Sequence, residues 1–114
     1  MTESERNELF ATTVLGWTCK TFPDGVCPHI KHWYDENGKF KLRRDLNFGT
    51  SLDAVWPTKE CMLRHGIGEV EVTGFDEDGG IAAVFDPVHN LVTTKTGSTP
   101  VAALRDALIE AVKK

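Results

Sequence analysis

Residues 69–94 read E-V-E-V-T-G-F-D-E-D-G-G-I-A-A-V-F-D-P-V-H-N-L-V-T-T. Glu69, Glu71 and Thr73 alternate with Val70 and Val72, the period-two pattern of a strand with one face buried. Asp76-Glu77-Asp78-Gly79-Gly80 then breaks the pattern with turn-forming residues, and Ile81-Ala82-Ala83-Val84-Phe85 resumes it. Asp86-Pro87 and His89-Asn90 mark a second turn before Leu91 to Thr94. The spacing predicts three consecutive antiparallel strands joined as a meander.

Helical signals lie on either side. Downstream, Thr99 can cap and Pro100 open a last helix, along which Val101, Leu104, Leu108, Ala111 and Val112 repeat at helical spacing. Lys113 and Lys114 suit its C-terminal dipole. At the other end of the chain, Thr2 and Glu5 have capping-box spacing, and Leu9, Phe10 and Val14 share a face before Gly16, so a helix is predicted over about residues 3–15. Trp17 to Thr21 is rich in strand formers, and Ile30 to Tyr34 reads as a second strand. The Asn37-Gly38 pair turns that strand into a hairpin with Phe40 and Leu42. In the middle, Thr50 is the expected cap of a helix beginning near Leu52 and reaching His65, with Pro57 a point where it kinks or breaks. Together these elements predict an α+β fold, an antiparallel sheet flanked by helices in the manner of an α/β/α sandwich, in one domain spanning residues 1–114.

The bulk composition agrees with one domain. A chain of 114 residues, 40% hydrophobic and 26% charged, has the profile of a soluble globular protein. Its net charge of −4 disfavours a duplex-DNA binder, which needs a positive field to displace counterions. The first residues, Met1-Thr2-Glu3-Ser4-Glu5, lack the basic and apolar regions of a secretory signal, and no apolar run is long enough to span a bilayer, so a cytoplasmic location is expected. Three cysteines without an export signal read as reduced thiols.

Two constellations carry chemistry. Cys19, Cys27, His29 and His32 gather sulfur and imidazole within one loop and strand, the ligands zinc prefers. The spacing lacks a C-x-x-C knuckle, and the plain alternative is two thiols and two surface histidines. Cys61 and His65, four apart, can share a helical face, the commoner reading being a buried thiol beside an exposed imidazole. No nucleophile, base and oxyanion donor combine into a catalytic signature, and no enzyme is predicted. The second constellation is Lys41, Arg43 and Arg44 with Trp33 and Tyr34 across the hairpin, positive charge beside flat rings, suited to phosphate and a stacked base. Thr50 and Ser51, at a helix start, would add backbone donors. The bland alternative for the basic residues is a charged sheet edge that resists aggregation.

Leu15-Gly16-Trp17 after the first helix, Thr50-Ser51-Leu52-Asp53-Ala54 and Ser98-Thr99-Pro100 opening later ones give the chain a pattern that resembles the phage ABA-sandwich domain family over nearly its whole length. Pro57 and the Cys/His-bearing loop depart from that pattern. The resemblance implies a phage or prophage protein acting in the bacterial cytoplasm. By analogy with small phage proteins of this size, it suggests an accessory protein, often a homo-oligomer, that sequesters a nucleotide signal of bacterial immunity. The competing expectation is a protein-interaction module, with or without zinc bracing the Cys19–His32 segment.

Overall fold

The computed structural model describes residues 1–21, 31–74 and 79–113. The first helix, α1, spans Glu3–Thr13 and begins with the expected box: the Glu5 amide donates to Thr2 Oγ1 (3.1 Å), and the Thr2 amide donates to Glu5 Oε1 (3.3 Å). Strands β1 (Thr18–Thr21), β2 (Lys31–Tyr34) and β3 (Phe40–Lys41) form an antiparallel sheet, sheet A, in the order β1-β2-β3. The β2–β3 turn is fastened by Asp35, whose Oδ1 accepts from the amides of Asn37 (2.9 Å) and Lys39 (2.8 Å). Gly38 takes a φ of 82°, which its missing side chain permits. Arg43–Asp45 then forms one 3₁₀ turn.

Pro57 breaks the middle helix into α2 (Leu52–Val55) and α3 (Lys59–Arg64). Trp56, ahead of the proline, is extended at φ −64° and ψ 123°, because the proline ring crowds a helical residue at that position. Each piece has its own cap, Ser51 for α2 and Thr58 for α3. The expected cap Thr50 lies one residue too early; its hydroxyl points to the Asn47 carbonyl instead. Cys61 Sγ (3.6 Å) and His65 Nε2 (2.9 Å) both meet the carbonyl of Val14, so the pair ties α3 to the end of α1. Since a carbonyl only accepts, His65 carries its proton on Nε2.

The meander is β4 (Glu69–Gly74), β5 (Gly80–Phe85) and β6 (Leu91–Gly97), forming sheet B. The β6 strand runs three residues beyond the expected Thr94. Val70 pairs with Val84, and Val84 with Thr93, on the buried face. Glu71, Ile81, Thr94 and Thr96 lie on the opposite, exposed face.

Against the buried face lies α4 (Pro100–Lys113), capped by Thr99, whose Oγ1 accepts from the Ala102 amide. Ala103, Leu104, Ala107 and Leu108 are wholly buried. Arg105 is wholly buried too, and the reason is a fork of partners on α1. Its Nη1 and Nη2 donate to the two oxygens of Glu3 (2.7 and 3.1 Å), Nη1 also reaches Asn7 (3.0 Å), and Nε holds Asp106 (3.0 Å). Burial works against the guanidinium charge, but the hydrogen bonds to Glu3 and Asp106 outweigh it and raise the Arg105 pKa.

The class is therefore α+β with antiparallel strands, as expected, the strands being divided between two three-stranded sheets. Helix α4 packs on sheet B and on α1, and α1 packs in turn on β1 of sheet A. Buried along most of its length, α4 is covered by more than one element. The molecule extends 49 × 32 × 21 Å.

Candidate ligand-binding face

Sheet A sorts the predicted site residues by strand alternation. Cys19 pairs with Trp33 and Trp33 with Lys41, which puts these three on the face turned toward α1. Trp33 is only 5% exposed and belongs to the core. Lys41 lies 5.7 Å over the Trp17 ring and 4.0 Å from Asp35 Oδ2. Neighbours on a strand point to opposite faces, so Trp33 and Tyr34 do not grip one ligand together.

The outer face carries Lys20 opposite His32 and Tyr34 opposite Phe40. Tyr34 and Phe40 meet edge to face with centroids 5.8 Å apart, and His32 tilts toward Phe40 at 5.9 Å. The Lys20 ammonium stands 5.2 Å over the Tyr34 ring. Phe40 remains half exposed, and exposed Lys39 and Arg44 lie on the adjoining hairpin and 3₁₀ turn. The nearby carboxylates of Asp35 and Asp45 accept from backbone amides, while Glu36 in the turn is exposed. An open aromatic surface edged by cations results. The side chain of Arg43 lies outside the described part of the structure.

Among the described residues, Thr50 and Ser51 show no contact with this face. Ser51 Oγ accepts from the Ala54 amide at 3.3 Å, a cap for a helix of four residues. Of the proposed zinc ligands, Cys27 and His29 lie outside the described residues. Cys19 and His32 sit on opposite faces of sheet A, so the sheet does not direct them to one tetrahedral shell. Among the described residues no group of three or more His, Cys, Asp or Glu is arranged to hold a metal ion. Burial pushes the Cys61 thiol up in pKa, the condition of a structural rather than a nucleophilic cysteine.

Lys20 and Phe40 are not among the site residues that the sequence suggests, and His32 stands there only as a metal ligand. The signal that finds them is alternation combined with hairpin register: once Asn37-Gly38 sets the turn, Phe40 falls beside Tyr34.

Comparison with known protein families, with curated proteins and with solved structures finds no match to this chain. Among the described residues no helix is long and apolar enough to cross a membrane.

Proposed function

We propose that this protein is a non-enzymatic binding module that takes a small anionic, ring-bearing ligand, of the nucleotide class, on the outer face of sheet A. The observation that carries this reading is the cluster of Lys20, His32, Tyr34 and Phe40 on one face, with cation and rings within 6 Å of one another. A base stacks on the half-exposed Phe40 and Tyr34, and a phosphate meets Lys20, with Lys39 and Arg44 at the margin. Trp33 serves as the packing that holds β2 in place, and Lys41 supports the hairpin from behind. In the setting that the family resemblance suggests, a phage accessory protein, such binding would sequester a nucleotide immune signal of the host.

The reading is tested by calorimetric titration with mono- and cyclic dinucleotides. Tyr34→Ala and Lys20→Ala should each weaken binding about ten-fold or more, the loss of one stacking or charge-assisted contact, with circular dichroism unchanged. Equal affinity in both variants, or no binding by any nucleotide at millimolar concentration, overturns it.

A further inference from the structure

The turn of the β2–β3 hairpin reads Asp35-Glu36-Asn37-Gly38-Lys39, and its Asn37-Gly38 pair carries a chemistry of its own. An asparagine carboxamide is open to attack by the amide nitrogen of the next residue. The reaction is fastest when that residue is glycine, because any side chain crowds the five-membered ring that forms. Of the four asparagines in the chain, Asn37 alone precedes a glycine: Asn7 is followed by Glu8, Asn47 by Phe48 and Asn90 by Leu91. Asn37 is exposed in the turn, and a Cβ built on Gly38 would meet no atom within 4 Å, so the ring has room to close.

The same turn withholds the nucleophile. The Gly38 N–H donates to the Asp35 carbonyl at 3.0 Å, and the nitrogen attacks only after losing that proton. Asp35 Oδ1 accepts from the amides on either side, Asn37 at 2.9 Å and Lys39 at 2.8 Å, and so keeps the Gly38 N–H on the carbonyl. Asp35 Oδ2 lies 4.0 Å from Lys41 Nζ, which steadies the carboxylate in its turn. These bonds also fix the backbone between Asn37 and Gly38, and with it the approach of the nitrogen to the carboxamide carbon.

We propose that Asn37 is a site of self-modification to aspartate and isoaspartate, and that Asp35 is the positioning residue that slows it. The Gly38 nitrogen gives up its proton and bonds to Asn37 Cγ, the Cγ–Nδ2 bond breaks, and ammonia leaves with the proton. Water then opens either carbonyl of the cyclic imide. Both products put a carboxylate beside Asp35 and Glu36, and isoaspartate also lengthens the main chain of the turn. The new charge opposes an anion on the outer face, a consequence that rests on the function proposed above, whereas the modification itself does not.

The test is incubation of the full chain at pH 8 and 37 °C over several days, followed by peptide mapping in a mass spectrometer. A gain of about 1 Da should accumulate at Asn37 at least about ten-fold faster than at Asn7, Asn47 or Asn90. Asp35→Ala should quicken it about three- to ten-fold, toward the rate of the wild type in urea, and Asp35→Asn, which keeps an acceptor oxygen, should restore most of the delay. Equal rates at all four asparagines overturn the site, and an unchanged rate in Asp35→Ala overturns the role of Asp35. The modified form, separated by its extra charge, is then titrated with nucleotide beside fresh protein. Equal affinity refutes the consequence for binding, while fresh protein that takes no nucleotide refutes the proposed function and leaves the mass result standing.

Discussion

Arg105 joins what the apolar residues alone do not. The N-terminal half of α1 contributes no buried side chain before Phe10, and Glu3 and Asn7 reach the buried guanidinium while Arg6 meets Asp106 at 3.3 Å. Replacing it by Arg105→Met strips the donors from three acceptor residues at once, but Glu3 stays open to solvent and Asp106 keeps Arg6, so urea unfolding should show a loss of about 1.5–3 kcal/mol. Glu3 adds a pH dependence. The hydrogen bond from Arg105 holds its carboxyl below the ordinary glutamate range, so its contribution is complete above the unfolded-state value of about 4.3 and is lost as the pH falls through the lower folded value. Thermal melts of wild type and Glu3→Gln should therefore differ near neutrality and converge in acid; a constant difference down to pH 3 refutes the linkage. Gly49 is bound into the same cluster, because a Cβ there would stand 2.8 Å from Glu3 Oε2 and 2.9 Å from Arg105 Nη1.

Among the elements, the contact of β5 with α4 is the tightest to perturb. A Cβ on Gly80 would lie 2.4 Å from Pro100 Cα and 2.7 Å from its nitrogen, backbone atoms that cannot swing aside. Gly80→Ala should push the first turn of α4 off sheet B at a cost of about 2 kcal/mol, read as a lowered urea midpoint with hydrogen exchange rising at Thr99–Ala103. Helix positions were largely legible before the structure, because caps and periodicity are local: Thr2 with Glu5, Thr99 with Pro100, and the break at Pro57 all arise within four residues. Strand length was less legible. The β3 strand has two residues and β6 has seven, and neither follows from propensity, since pairing ends where the neighbouring strand diverges.

For the whole molecule, α4 is the shared support. It packs directly on sheet B and, through α1, reaches sheet A. Leu108→Ala, at a wholly buried position, should cost roughly 2–5 kcal/mol. Tryptophan fluorescence, which reads Trp17 and Trp33 near sheet A together with Trp56 at the end of α2, and far-ultraviolet dichroism should lose stability together in one transition. Separate midpoints would mean that the two sheets unfold independently.

The sequence by itself determined the helices, the two hairpins and the α+β class, because periodicity and turn chemistry act over a few residues. It also placed positive charge and aromatic rings on one hairpin. Only the tertiary structure decided which of those rings face solvent: Trp33 turns to the core and Tyr34 outward, so Phe40, Lys20 and His32 complete the surface. Likewise only the tertiary structure joined α4 to the start of α1, since the partner of a wholly buried Arg105 lies about a hundred residues away, beyond the reach of any local pattern.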